Sequence, residues 1–597
     1  MNQLLETLSQ LTATVGAGDI LNAFLRYLFP VLALIILGRC ARSLLLFHKE
    51  PEIWAWLAAP NGDRLPVTHW ETLLGRAKNC DVVLDYPTIS RSHAVLTRYD
   101  DGSWTISDVG SKGGIQVNGQ TTSMEVVSFG DKISLGGVEF TLVPITKEQE
   151  VIQASVRTRA GDVIRPAFTL ILLSLFQILA ALNLALHDTE AASTITTGFA
   201  VLMAMEWVYF IFMRILRRTG FEVETIAFFL CTLGLAVIAS DTPAEMTKQL
   251  FCIGAGLVVF LFLCWSLRDL ERAKKFRYLA AVGGIGLLLI NLVFGVEQYG
   301  AKNWIYIAGM SFQPSELVKL CFIFVGASTL QRIMTKRNMF LFIAYSAMVC
   351  GCLVLMSDFG TALIFFVAFL VIAYMRSGSF ATIALIVSAT GFGGVLALRF
   401  KPYILNRFSA WGHVWEDALN TGYQQTRSMM CIASGGLFGL GAGRGWLKYV
   451  AASDTDLVFA FVGEEWGLLM AIFMILAVVC LAAFVAKSAS VGRSSFYTIG
   501  ACAEGAILLI QTMLNVFGTV DLLPLTGVTF PFVSNGGSAM MSAWGLLAYL
   551  KATDTRENAS FAIARRHQRQ LTQAARRRAE PVRDPFGTEK EGRHEED

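Results

Sequence analysis

The chain has 597 residues, 54% of them hydrophobic and only 16% charged, with a mean hydropathy of +0.53. That balance excludes a soluble multidomain protein of this length and makes lipid the main solvent. A net charge of +3 is too small to mark a nucleic-acid binder, and the basic residues fall in short clusters between apolar runs.

The 11 cysteines are scattered, mostly within apolar runs (Cys231, Cys252, Cys264, Cys350, Cys352), with no CxxC pair and no metal-type spacing with the 7 histidines. They read as small buried hydrophobes, and no disulfide framework is expected. The first apolar run, 20–38, is preceded by a segment without Lys or Arg and followed by Arg39, Arg42 and Lys49. A signal peptide has the opposite charge order, so residues 1–50 are expected to form an uncleaved anchor with its N-terminus outside.

Residues 51–147 change texture to short alternating segments (Trp104-Thr105-Ile106, Lys132-Ile133-Ser134-Leu135, Phe140-Thr141-Leu142) separated by Asp-Gly, Gly-Gly and Asn-Gly turns, the pattern of a small all-β sandwich on the inner side. Residues 148–220 read as a linker and an extra membrane hairpin, 221–550 as a ten-span core and 551–597 as a basic inner tail. The apolar runs lie near 167–186, 194–213, 223–240, 250–267, 278–296, 316–333, 339–357, 360–375, 380–398, 457–484, 495–518 and 532–550. Most can cross about 30 Å of hydrocarbon as helices. Basic residues fall on every second connection, and thirteen spans starting outside end inside, beside the Arg-rich tail. The expected fold is thus a polytopic α-helical membrane protein with an inserted all-β domain. One outward connection, about 399–456, is long and rich in Gly, aromatic and charged residues, which marks it as functional.

Within the β-like segment, Gly75-Arg76, Ser90-Arg91-Ser92-His93 and Val117-Asn118-Gly119 stand in the order and spacing of a forkhead-associated (FHA) domain, which the segment resembles. The resemblance implies a phosphothreonine-peptide site in which Arg76 and Ser90 contact phosphate, Arg91 contacts phosphate or peptide, His93 braces the loop, and Lys112 and Asn118 belong to the binding set. A phosphate of about −1.5 to −2 charge calls for such arginines and hydroxyls. One departure is Ser111-Lys112-Gly113-Gly114-Ile115, where the family usually has Asn-Gly-Thr after the Ser-x pair. The bland reading is a sandwich used only for docking.

Ionisable groups in or beside spans cost about 2.5–3.5 kcal/mol each, so their positions are informative. Glu316 and Lys319, after Pro314, share one helix face at i, i+3, which fits a plain capped and salt-bridged helix start as well as a site. Asp358 stands at a tight turn, where it could equally cap a helix. Asp417 lies in the longest loop and is not needed for any visible cap.

From about 221 to 550 the chain resembles the SEDS family (the RodA/FtsW/SpoVE group of peptidoglycan polymerases). The motifs are GAK before Trp304, FQPSEL at 312–317, DFGTAL at 358–363, GYQ at 422–424, GGLFG at 435–439, TDLVFAFVGEE at 455–465, PLTG at 524–527 and PFVS at 531–534. Asn535 replaces a common Tyr, and Asp454 a common His. The resemblance implies polymerisation of lipid II at the outer leaflet of a bacterial plasma membrane, with an undecaprenyl diphosphate leaving group and Asp417 as the catalytic acid. Lys302, Trp304, Gln313, Glu316, Lys319, Asp358, Arg407, Lys448, Asp456, Glu464 and Ser534 would contact substrate. Arg407, Arg427, Lys448 and Lys302 supply positive charge for the diphosphate. A divalent cation could share that task, although no metal-ligand cluster is visible and no cofactor is evident. Implied partners are undecaprenyl-linked glycan, a class B penicillin-binding protein and a threonine-phosphorylated regulator. Two other classes compete: a flippase of lipid-linked precursor, which mid-span acids would favour, and a non-catalytic division or elongation scaffold. Glu206, mid-span in the extra hairpin, fits neither polymerase motif nor loop chemistry.

Overall fold

The computed structural model describes residues 17–46, 52–78, 80–99, 102–149, 166–216, 220–268, 270–298, 301–307, 310–328, 336–377, 380–381, 383–388, 391, 411–489 and 494–554. The predicted span at 380–398 lies largely outside these residues, as do Arg407 and the basic tail past residue 554.

Helix α1 (Ala17–Leu45) leads into the sandwich with Asp19 in its first turn and Arg42 in its last, the order the helix dipole favours. Eleven strands follow: β1 (Ala55–Ala58), β2 (Arg64–Val67), β3 (Glu71–Gly75), β4 (Val82–Val83), β5 (Ala94–Arg98), β6 (Trp104–Asp108), β7 (Ile115–Val117), β8 (Gln120–Thr122), β9 (Met124–Val127), β10 (Lys132–Leu135) and β11 (Val138–Val143). They form a six-stranded sheet in the order β2-β1-β11-β10-β7-β8 and a five-stranded sheet in the order β4-β3-β5-β6-β9. The period-2 alternation does what the sequence predicts: Ile133 and Leu135 on β10 and Phe140 and Leu142 on β11 point inward to meet Leu57, Leu96 and Ile106 in a dry core.

The membrane bundle contains α2 (Pro166–His187), α3 (Ala192–Ile215), α4 (Glu222–Asp241), α5 (Met246–Leu267), α6 (Leu270–Phe294), α7 (Pro314–Ser328), α8 (Lys336–Leu355), α9 (Phe359–Ser377), α10 (Tyr423–Gly435), α11 (Val458–Glu465), α12 (Leu468–Ala489), α13 (Ser495–Thr519) and α14 (Gly537–Thr553). Eight of the described helices are long and apolar enough to cross a membrane, and two shorter apolar helices span 340–355 and 359–375. Helix α4 is buried along nearly its whole length and so lies at the centre.

Three elements depart from the sequence reading. The run at 457–484 is broken at Trp466-Gly467 into α11 and α12, because Gly467 (φ +91°) lies against backbone: a Cβ there would sit 2.4 Å from Leu437 O. The last helix starts at Gly537, five residues into its apolar run, after a turn that holds Phe532 at φ +63°. The connection after α6 is a three-stranded sheet of β12 (Val296–Gln298), β13 (Ala301–Ile307) and β14 (Met310–Phe312).

Buried polar groups tie the accessory helices to the core. Gln177 Nε2 on α2 donates to Glu206 Oε2 on α3 and to Thr232 Oγ1 on α4, both at 3.0 Å, so Glu206 serves as an interhelical bond partner. Lys551 on α14 and Glu224 on α4 form a fully buried ion pair at 2.9 Å, and Tyr209 on α3 donates its hydroxyl to the same carboxylate at 3.2 Å.

The sandwich is seated on the bundle. Trp70 packs into the bundle core, and Glu71 Oε2 accepts from Ser495 Oγ (2.7 Å) and Ser494 Oγ (3.4 Å) at the N-terminus of α13. A carboxylate is favoured there by the free N–H groups and the dipole of the helix.

Candidate active site and phosphate-type loops

At the end of the bundle away from the sandwich, polar motif residues from separate segments converge. Asp358 begins α9 and caps it by accepting Thr361 N at Oδ1 (3.1 Å). Its Oδ2 accepts from Asn303 Nδ2 (3.0 Å) and Gln313 Nε2 (3.2 Å), which brings β13 and the start of α7 to the same point. Gln313 N also donates to Ser538 Oγ at the start of α14 (3.2 Å). Lys319 and Glu316 close on each other at 2.7 Å with side chains only 1% and 6% exposed. Lys302 Nζ donates to Leu292 O (2.9 Å) and so caps the C-terminus of α6, while Trp304 beside it is half-buried on β13.

The described part of the long connection, 411–456, is tied to its surroundings by hydrogen bonds. Gly412 N donates to Asp521 Oδ1 (3.2 Å), and Gln424 Nε2 on α10 donates to Ala451 O (2.9 Å). Asp417 sits partly exposed in the turns before α10 and, contrary to the sequence reading, does cap its own turn. Its Oδ1 accepts from Asn420 Nδ2 (2.8 Å), and its Oδ2 accepts from Thr421 Oγ1 (2.9 Å) and Thr421 N (3.2 Å). The Asn420 amide, and then Thr421, hold this carboxyl below its ordinary pKa, so it is a fixed, ionised carboxylate. The Arg427 guanidinium lies over the Tyr423 ring at 5.2 Å.

Beyond α10 the chain makes a glycine-rich loop, 441–449, held from below by α11. Glu464 accepts from Trp446 N (2.9 Å) and Leu447 N (2.8 Å), and Glu465 accepts from Gly443 N (2.9 Å), Gly445 N (3.1 Å) and Ser240 Oγ (2.6 Å). Both acids are buried and engaged with backbone. Lys448 Nζ is half-buried and donates to Gly443 O (3.1 Å).

Asp456 lends its backbone carbonyl to Asn515 Nδ2 on α13 (3.0 Å). Ser534 is buried, donating to Thr455 O (2.6 Å) and accepting from Phe530 N (2.8 Å). The two residues that depart from the family pattern meet: Asn535 Nδ2 donates to Asp454 Oδ2 (2.7 Å) and to Glu245 Oε2 (2.7 Å). Among the described residues no group of three or more His, Cys, Asp or Glu is arranged to hold a metal ion.

Sequence reasoning named most of these residues but gave no role to Asn303, Asn420, Thr421 and Asn515, neutral side chains that orient the others. The alternation of Ile305 and Ile307 around Tyr306, beside Trp304, was the available signal for β13.

In the sandwich, Arg76 follows β3 directly and is exposed, as are Arg91 and Lys112. Arg76 N donates to Ser90 O, and Ser90 Oγ accepts from Lys112 N, both at 3.0 Å, so the three loops form one rim. His93 locks it from behind, accepting Ser90 N at Nδ1 (3.1 Å) and bonding Gly114 O through Nε2 (2.9 Å). Gly75 is obligatory, since a Cβ would lie 2.3 Å from Arg91 O. Asn118 is placed differently from the others. It occupies a φ > 0 turn with Gly119, and its amide is engaged on Asp131 Oδ1 and Lys132 N, both 3.0 Å.

Residues 226–558 match the family model for FtsW, RodA and SpoVE, described as cell cycle proteins, and residues 72–136 match the FHA domain model. The peptidoglycan glycosyltransferase RodA of Mycobacterium tuberculosis is 28% identical over 337 residues, covering 52% of this chain and 71% of that protein. The probable peptidoglycan glycosyltransferase FtsW of Tolumonas auensis is 30% identical over 348 residues, covering 55% of this chain and 90% of that protein. The crystal structure of Thermus thermophilus RodA aligns over 56% of this chain and 97% of that one at 22% identity, with a TM-score of 0.41. With its motif residues gathered at one end of a helical membrane bundle, the chain belongs to the FtsW/RodA/SpoVE family of peptidoglycan glycosyltransferases and carries an FHA domain in the same polypeptide.

Proposed function

We propose that the chain polymerises lipid II into glycan strands at the outer face of the plasma membrane, with Asp417 as the catalytic carboxylate. The observation that carries this reading is the geometry of Asp417: a carboxylate oriented by three donors and partly exposed in its loop, whereas Glu464 and Glu465 on α11 are buried on backbone amides. A sugar hydroxyl attacking an anomeric carbon loses its proton as the new C–O bond forms. A charged carboxylate in reach accepts that proton, an effect of about 10²–10⁴-fold. The hydroxyl becomes acidic only as it bonds to carbon, so a carboxylate of low basicity suffices late in the step. The diphosphate is anionic in the bound substrate as well as on departure, and Lys448 and Arg427 supply cations for it from the same connection, with Arg407 outside the described residues.

In this reading the sandwich lies on the cytoplasmic side, which the charge order around α1 supports, and there Arg76, Ser90, Arg91 and Lys112 read a threonine-phosphorylated regulator. The crosslinking partner is a class B penicillin-binding protein. Lipid II polymerisation by the purified full-length chain tests the assignment: Asp417→Ala should make no glycan, and equal glycan from both proteins would remove Asp417 from the chemistry. A flippase reading draws on one observation, Glu504 buried mid-way along α13 with neither carboxyl oxygen hydrogen-bonded among the described residues. Transbilayer movement of labelled lipid II that is lost in Glu504→Gln but retained in Asp417→Ala would favour it.

A further inference from the structure

The glycine loop 441–449 is held on its other side by helices that lie outside the residues matching the family model. Buried Asn22 on α1 lies directly against Gly441, where a Cβ would fall 2.1 Å from its Nδ2 atom. Asn183 on α2 donates to Asn22 Oδ1 at 3.1 Å and fixes that amide. His187, the last residue of α2, packs on Gly443 in the same manner, 2.4 Å from a would-be Cβ. Asp19, in the first turn of α1, pairs with Arg444. Gly441 and Gly443 sit at φ +113° and +79°, so they supply both the backbone geometry and the close approach.

Gly443 is where these contacts converge. Its N–H goes to Glu465, its Cα lies under His187, and its carbonyl anchors the Lys448 ammonium. We infer that Asn22 and His187 are positioning residues for the polymerase reaction. The accessory helices clamp the loop between themselves and Glu464-Glu465, and so set where Lys448 meets the diphosphate of the lipid-linked substrate. The inference rests on the reading of Lys448 as a diphosphate contact. Lys448 would meet the diphosphate before and during its departure, so a displaced Lys448 weakens binding more than turnover.

The test uses the full-length chain in lipid nanodiscs with lipid II as substrate, and compares Asn22→Ala, His187→Ala, Lys448→Ala and each pairwise combination with Lys448→Ala. Each accessory variant should raise KM for lipid II about fivefold with kcat within twofold, and Lys448→Ala about tenfold. The double variants should match Lys448→Ala alone, because residues acting through one group are not additive. A general packing defect would instead multiply with Lys448→Ala. Multiplying effects, or a wild-type KM in Asn22→Ala and His187→Ala, would overturn the inference while leaving the Lys448 reading intact. A wild-type KM in Lys448→Ala would overturn that reading and the inference with it. Where Asn22→Ala lowers the yield of folded protein, Asn22→Ser removes the amide with less loss of volume and is held to the same outcomes.

Discussion

The sandwich and the bundle hold their candidate site residues in opposite ways. In the sandwich, Arg76, Arg91 and Lys112 stand exposed at loop tips, and the locked residues are those behind them, Gly75 and His93. In the bundle, Glu316, Lys319, Asp358, Glu464 and Ser534 are themselves buried and bonded to one another or to backbone. The difference follows from solvent. An exposed charge in water needs no partner, whereas a polar group in a lipid-solvated body must find one inside the protein. A motif residue in the bundle is therefore a weaker pointer to substrate than one at a water-facing loop. Asp417 differs from both groups: it is partly exposed in a loop, and its hydrogen bonds come from Asn420 and Thr421 of its own turn.

The sharpest test of that contrast is Asp417→Asn, which keeps the Asn420 and Thr421 neighbourhood but removes the charge. Polymerisation should fall about 10²–10⁴-fold, with thermal unfolding in detergent unchanged. Lys319→Met should behave the other way. Breaking a buried pair costs about 3–5 kcal/mol, and Glu316→Leu combined with Lys319→Met should recover most of that stability. A Lys319→Met protein that melts like wild type but makes no glycan would break the comparison, since Lys319 would then face substrate. Arg76→Ala should weaken binding of a phosphothreonine peptide by about 1.5–3 kcal/mol, roughly 10- to 150-fold, without altering the melting of the sandwich, as titration calorimetry and circular dichroism can show.

The smallest effect expected is on pH dependence. Asn420 and Thr421 hold the Asp417 carboxyl below the usual range, so activity that needs the carboxylate is complete above the ordinary Asp pKa and is lost only as pH falls through the lowered value. Thr421→Val removes one donor and should move the acidic limb of the rate profile upward. An unmoved limb would mean that another group titrates there.

Apolar runs of lipid length were legible because hydrocarbon thickness fixes them: the runs at 167–186, 194–213 and 223–240 emerge as α2, α3 and α4 with small shifts at the ends. The sandwich was legible through its alternation and turn residues. What the sequence hid is tertiary. Gly467 looks like any glycine in an apolar run until the Leu437 carbonyl is seen against it. Asn303 finds Asp358 across 55 residues, and Asn515 finds Asp456 across 59. Neutral amides of this kind carry no periodic or charge signal, so the orienting half of the candidate site was silent while its charged half was not.

Strand β3 has Glu71 at one end and is followed at the other by Arg76. Five residues of extended chain span roughly 17 Å at about 3.3 Å each, and all five are buried. With Glu71 fastened to the N-terminus of α13, the domain is a bracket rather than a leash. A flexible tether lets its cargo sample a volume, and the effective concentration it offers falls as the linker lengthens. A bracket offers one height and one azimuth around the bundle. A phosphoprotein held at Arg76 would therefore meet the same flank of every copy, so that copies gathered on a phosphorylated scaffold would share a heading in the membrane plane.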